Sequence, residues 1–224
     1  MKVPIHMDDC DEPSDPLRGV SRPAPVVVKL HEQLRAAVVS VILLTLLTGC
    51  IFPLVLFALG RLLYPGQAAG SLVTRGGGVI GSRLIGQNFT RPEYFHPRPS
   101  AAGAGYDGTS SGGTNLSPSN RKLIEGVRQL AEDYRRRNGL PPDADVPIDA
   151  VTCSGSGLDP NISPENAALQ VPRVARARRL SEDVVRRLLA RHTQGRQLGF
   201  MGNPRVSVLD LNLALDRAAP LASH

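Results

Sequence analysis

Gly108-Thr109-Ser110-Ser111-Gly112 has the G-x-S-x-G spacing that presents a nucleophilic serine for acyl transfer. That chemistry needs a strand running into the serine and a helix leaving it, so that the hydroxyl is held out on a sharp turn. Here "AAGAGYD" precedes and "GTNLSP" follows, and both read as loop, so no hydrolase is expected from it. A second stretch, Ser154-Gly155-Ser156-Gly157, leads through "LDPNI" into Ser163-Pro164-Glu165, the start of a helix. Two readings stand. Its backbone amides could cradle an anion beside the helix N-terminus. Alternatively it is a tight turn made of the residues that turns use.

The five histidines, His6, His31, His96, His192 and His224, show no metal-ligand spacing. His96, followed by Pro97 and Arg98, is expected to touch backbone or a partner rather than a metal. No G-x-x-x-x-G-K-[ST] phosphate loop occurs. Of the three cysteines, Cys10 lies in an N-terminal tail, Cys50 in an apolar run and Cys153 alone in the remainder, which therefore forms no internal disulfide.

These residues must be positioned by a loop-rich frame, since the chain holds 22 glycines and 19 prolines and only 4% aromatics. "TRGGGVIGSRLIGQNF" predicts a hairpin turning at Gly76-Gly77-Gly78. About thirty loop residues follow from Arg91, a length that points to function or to a partner. A helix is expected over 119–137, capped by Ser119 or from Ser117. Its apolar face is Leu123, Ile124, Val127, Leu130, Ala131 and Tyr134, and it stops at Gly139. "VPIDAVTC" (146–153) alternates like a strand. Ser163 caps a helix that Pro172 interrupts and that "RVARARRL" could continue, and Ser181 caps another whose apolar face is Val184, Val185, Leu188 and Leu189. "RVSVLDLNLAL" reads as a strand entering a helix capped by Asn212. Helices and strands mix with too few βαβ units for a doubly wound sheet, so the fold class is α+β.

Residues 36–59 carry no charge and lie between Arg35 and Arg61. As a helix they would be roughly 36 Å long, enough to cross a hydrocarbon core of roughly 30 Å. Leu47-Thr48-Gly49-Cys50 has the look of a lipoprotein signal, but the chain stays apolar past Cys50, so an uncleaved span is expected. Arg22, Lys29 and Arg35 flank its N-terminal side, against Arg61 on the other, which puts the N-terminus in the cytoplasm. The expected organisation is a disordered cytoplasmic tail (1–34), a single transmembrane helix (35–60), a juxtamembrane connection (61–75), an extracytoplasmic domain (76–218) and a short tail (219–224). The net charge of +6 divides into −1 over residues 1–59 and +7 over the rest. Without aromatics interleaved among the arginines, no nucleic-acid partner is expected.

Four blocks occur in order behind the span: "LIGQNFTRPEYFHPRPSAAG", "SSGGTNLSPSN", "VTCSGSGLDPNISPENAALQVPRVARAR" and "RVSVLDLNLALD". Together they resemble the C subunit, the KdpC family, of the bacterial Kdp potassium-transporting P-type ATPase, from about residue 34 to 217. The resemblance implies a non-catalytic accessory subunit of an ATP-driven, high-affinity potassium uptake complex of the inner membrane, needed for its assembly. The implied partners are a channel-like potassium-translocating subunit, a P-type ATPase catalytic subunit and a small accessory subunit. It also implies a catalytic chaperone that raises ATP affinity. Gln170 would then contact nucleotide, Ser154, Gly155, Ser156 and Gly157 would form a nucleotide or partner loop, and ATP would be the cofactor. The topology favours the alternative, an outer scaffold or ion-entrance domain binding no nucleotide, because ATP is cytoplasmic. Cys153 stands where members of the family often carry a small residue, which argues against a thiol role.

Overall fold

A computed structural model describes residues 30–220. The chain divides into two compact units, residues 1–56 and 57–224. The first, as described, is helix. α1 (Leu30–Thr45) passes through a π-helical turn (Leu46–Ile51) into α2 (Phe52–Leu63). Pro53 has no N–H to donate, and its ring crowds the preceding turn. The backbone widens just before it: the Phe52 N–H bonds the Leu47 carbonyl, five residues back, and Thr48 Oγ1 donates to Leu44 O at 2.6 Å. Gln33–Leu63 is a 31-residue helical stretch whose most apolar 18 residues have mean hydropathy 2.6 and are entirely unburied. Residues 30–34, expected as tail, are therefore helical; the rest of that tail and residues 221–224 lie outside the described residues.

The second unit mixes helix and sheet, as the α+β reading requires. After the short α3 (Pro65–Ala68) come β1 (Leu72–Arg75) and β2 (Gly78–Ser82), an antiparallel hairpin turning at Gly76 and Gly77, both at positive φ. Beyond a long loop lie α4 (Arg121–Asn138), β3 (Asn161–Ile162), α5 (Pro164–Arg178), α6 (Glu182–His192), β4 (Thr193–Gln194), β5 (Arg205–Ser207) and α7 (Val208–Ala218). The three short strands form an antiparallel sheet in the order β3-β5-β4. α5, α6 and α7 bury Val171, Val174, Val185, Leu211 and Leu215 against Val206 and Phe95. A smaller cluster packs α4, through Tyr134, on Ala150 and Val151. Two ion pairs tie the hairpin to α7, Arg75–Asp216 at 3.4 Å and Arg83–Asp210 at 3.0 Å.

Several local expectations give way to tertiary chemistry. α4 is capped by Asn120, not Ser119: its side chain accepts from Lys122 N at 2.9 Å. Residues 146–153 are no strand but a 3-10 turn at Ile148–Ala150, with Ile148 77% exposed and Asp149 buried, the reverse of the apolar alternation. Pro172 does not break α5, which runs through it. The carbonyl it leaves unbonded belongs to Ala168, an exposed residue that water can serve. α7 is capped by Ser207, which accepts from Asp210 N at 3.3 Å, while Asn212 is buried inside the helix. Ser181 stands at the N-cap of α6 without a side-chain bond.

Candidate functional site

α5 begins at Ser163, whose Oγ accepts from Asn166 N at 3.0 Å, with Pro164 in the first turn. The buried Asp149 carboxylate braces this start. It accepts from Ser163 N at 2.7 Å, Ser163 Oγ at 2.9 Å and Asn166 Nδ2 at 3.1 Å. One face of α5 carries Ala167, Val171 and Val174 into the core. The neighbouring stripe, Asn166, Gln170 and Arg173, is polar at helical spacing, and Gln170 and Arg173 turn onto the segment 91–96.

Gln170 is 1% exposed, and all four of its hydrogen-bonding positions are used. Its carbonyl accepts from His96 N at 2.7 Å and Arg173 Nη2 at 2.8 Å. Its amide donates to His96 O at 3.1 Å and Asn166 Oδ1 at 2.8 Å. From α7, Asn212 makes the same pair of bonds to the preceding residue: its Oδ1 accepts from Phe95 N at 2.8 Å and its Nδ2 donates to Phe95 O at 3.0 Å. Two side-chain amides thus hold consecutive backbone residues as a neighbouring strand would. Tyr134 OH completes the cluster by donating to Asn166 Oδ1 at 2.9 Å. Burial, then the Asp149 carboxylate, pushes that phenol's pKa up, so it stays a donor.

Arg173 donates through Nη1 to Pro92 O (2.7 Å) and Tyr94 O (3.0 Å), and through Nε to Asn138 Oδ1 (2.9 Å). Burial lowers its pKa to about 10, leaving it charged at neutral pH. The Arg178 side chain is fully buried. It donates to Glu93 O, Ala219 O and Asp216 Oδ1 at 2.7, 2.9 and 2.8 Å, and its guanidinium lies over the Tyr94 ring. The arginines of α5 that look free in the sequence are therefore spent inside the domain, except the exposed Arg176. His96 Nε2 lies 3.0 Å from Arg91 O, the backbone contact expected of it. Burial first, then the Arg173 charge, lowers its pKa to about 4. It is neutral at physiological pH, and its Nε2 also lies 3.4 Å from Arg173 Nη1.

Gln170 forms part of the wall of a cavity of about 210 Å³ whose lining includes His96, Arg98, Tyr106, Tyr134 and Arg137. Ser154, Gly155, Ser156 and Gly157 do not line it. That turn bonds instead to the loop around residues 100–112. The Ser156 carbonyl accepts from Gly112 N at 2.9 Å and Ser111 Oγ at 3.0 Å, and the Gly157 carbonyl from Ser100 Oγ at 2.6 Å. Gly157 has φ +68°, and a Cβ there would stand 2.6 Å from Gly112 O and 2.7 Å from Ala102 N. Ser100 Oγ also accepts from Tyr106 N, and the Tyr106 hydroxyl donates to the Arg98 carbonyl. The Gln170 cluster and the glycine turn thus abut the same loop without forming one site.

Little chemistry is poised here. Burial raises the Cys153 thiol pKa, so it stays protonated. Ser110 lies in turn structure with no strand before it and no helix after it. Among the described residues no group of three or more His, Cys, Asp or Glu side chains is placed to hold a metal ion. Sequence reasoning missed Asp149 and Asn166, and the true roles of Arg178 and Asn212: Arg178 reads as a group for acidic partner residues but is spent inside the domain. The available signal was a polar residue inside an apolar helical run, as in "NAALQV" and "LDLNLAL".

Residues 34–217 match the family model described as "KdpC: K+-transporting ATPase, c chain". The chain belongs to the KdpC family. A curated relative named "Potassium-transporting ATPase KdpC subunit" from Mycobacterium tuberculosis (strain H37Rv) is 52% identical over 188 residues, covering 84% of this chain and all of the relative. A protein of the same name from Koribacter versatilis is 48% identical over 193 residues, 86% of this chain and 98% of its own length. One from Beijerinckia indica is 51% identical over 190 residues, 85% and 96% respectively. The KdpC match takes in the apolar helix, the glycine turn and the whole cluster from Arg91 to Asp216.

Proposed function

We propose that this KdpC-family chain is a non-catalytic, membrane-anchored subunit of an ATP-driven potassium uptake complex, needed for that complex to assemble and stay together. Its partners are a channel-like potassium-translocating subunit, a P-type ATPase catalytic subunit and a small accessory subunit. The observation that carries this reading is the join of an unburied apolar helix of 31 residues to a domain whose interior polar groups serve its own backbone. The helix needs lipid or neighbouring helices around it. The basic N-terminal flank supports a cytoplasmic N-terminus in the inner membrane, with the domain after Leu63 outside. An alkaline phosphatase fusion after His224 is expected to be active; a silent fusion, with a cytoplasmic reporter active at the same point, overturns the topology. Deleting the chain is expected to abolish co-purification of the remaining subunits, and an intact, fully active complex without it overturns the assembly role.

A second reading, the catalytic chaperone that raises ATP affinity, is favoured by the position of Gln170 on a cavity wall shared with Arg98 and Arg137. Against it stand the full set of internal bonds on Gln170 and the outward topology. The two readings separate on one measurement, the apparent KM for ATP of the assembled pump carrying Arg137→Gln. Arg137 lines the cavity and its guanidinium makes only one backbone bond, to Asp133 O, so the fold tolerates the change. An unchanged KM supports the scaffold; a rise of several-fold supports nucleotide at the cavity.

A further inference from the structure

The connection from β4 to β5 puts large apolar side chains into water. Leu198 is 82% exposed, Phe200 71% and Met201 49%. The chain has five phenylalanines. Phe52 and Phe57 belong to the apolar helix, and Phe89 and Phe95 pack in the domain core, so Phe200 is the one the domain leaves outside. The turn that carries it has a definite shape. Gln197 and Met201 exchange both backbone hydrogen bonds at 2.9 Å, and Phe200 N donates to Gln197 O at 3.2 Å. Leu198 sits at φ +52°, a left-handed conformation that is strained for a residue with a bulky side chain. Holding Leu and Phe outward on a strained turn contributes nothing to the domain's own core.

Charge along this stretch of chain has one sign. Between Val184 and Leu209 the chain has five arginines and neither Asp nor Glu. Arg186 pairs back to Glu182 at 2.6 Å; among the described residues Arg187, Arg191, Arg196 and Arg205 make no ion pair. Gln194 pairs with Arg205 across the strands, so Arg196 and Arg205 both stand at the neck of the hairpin. Phe, Met and Arg together are the residue types enriched at protein interfaces. The names of the relatives make them subunits, so a partner surface is to be expected.

We propose that this hairpin tip is a docking plug: Leu198, Phe200 and Met201 seat in an apolar recess on the outer face of another subunit of the complex, and carboxylates on the recess rim meet Arg196 and Arg205. The inference rests on the subunit reading above. A bilayer surface would also accept apolar residues and arginines, but it takes any conformer, whereas a preset turn is suited to a shaped recess.

The test places a photo-crosslinking phenylalanine analogue at position 200 of the full chain, in membranes from cells that make every subunit. The expected result is an adduct with one defined subunit of the transporter. Arg196→Glu with Arg205→Glu should lower its yield about tenfold, corresponding to about 1.4 kcal/mol. A lipid adduct alone makes the tip a membrane contact and overturns the plug, as does the absence of any adduct. The same analogue at Ile148, 77% exposed, is the control; an equal adduct there means that the reaction follows exposure only, which also overturns it. Co-purification of the unmodified chain is read in the same preparation. If the subunits co-purify and position 200 stays unlinked, the plug fails alone; if they do not, the subunit reading fails with it.

Discussion

Gln170 and Asn212 stand on different helices, and each supplies one residue of the segment 95–96 with both of its backbone hydrogen bonds. Truncating either leaves a backbone N–H and a C=O buried without partners, at about 1–3 kcal/mol each. Gln170→Ala and Asn212→Ala should therefore each lower the midpoint of thermal unfolding of the full chain in detergent by several degrees. A midpoint unmoved for Gln170→Ala, with a raised KM for ATP in the pump, would instead assign that amide to a ligand. His96 gives a pH signature. Its ordinary value near 6.5 falls to about 4 in the fold, through burial and then Arg173. The unfolded chain takes up a proton in that window and the folded chain does not, so stability is unaffected above about pH 6.5 and declines as pH drops toward about 4. Unfolding midpoints at about pH 7 and about pH 5 check this, and His96→Asn should flatten part of the difference.

At the scale of elements, the turn 154–157 is the joint between the loop of 100–112 and the start of α5. Gly157 uses a left-handed φ in a space with no room for a Cβ. Gly157→Val should break the turn, costing about 1–3 kcal/mol and reducing co-purification of the complex. Gly155 is the matched control: a Cβ there meets nothing within 4 Å and its φ is ordinary, so Gly155→Ala should assemble normally. Equal behaviour of the two variants would remove the turn from the account of assembly. α5 carries the opposite lesson, because its Pro172 is harmless where the freed carbonyl lies at the exposed Ala168.

For the whole molecule, the apolar helix is the proposed attachment. The chain should remain in the membrane pellet after an alkaline carbonate wash, since the uncharged run 36–59 within this 31-residue helix exceeds the roughly 20 residues that span a bilayer. Leu47→Arg, near the middle of the helix, should lower the integrated fraction, because an arginine there costs about 2.5–3.5 kcal/mol of insertion free energy. Release of the unaltered chain by the wash would refute a spanning helix.

What the sequence determined alone was whatever local chemistry dictates. The uncharged run of 36–59, the hairpin at Gly76-Gly77, the Ser163-Pro164 start of α5 and the apolar stripe of α4 each depend on neighbours a few residues away, and the four ordered blocks pointed to the family. What the fold decided depends on residues far apart in the chain. Asp149 overrode the alternation of 146–153 because a buried carboxylate was needed 14 residues on, at Ser163. Asn212 became a surrogate strand for Phe95 rather than a helix cap, across 117 residues. Gln170 reached back 74 residues to His96. Periodicity reports which side of an element is apolar, but a buried polar side chain is explained only by the partner that satisfies it, and tertiary contact alone supplies that partner.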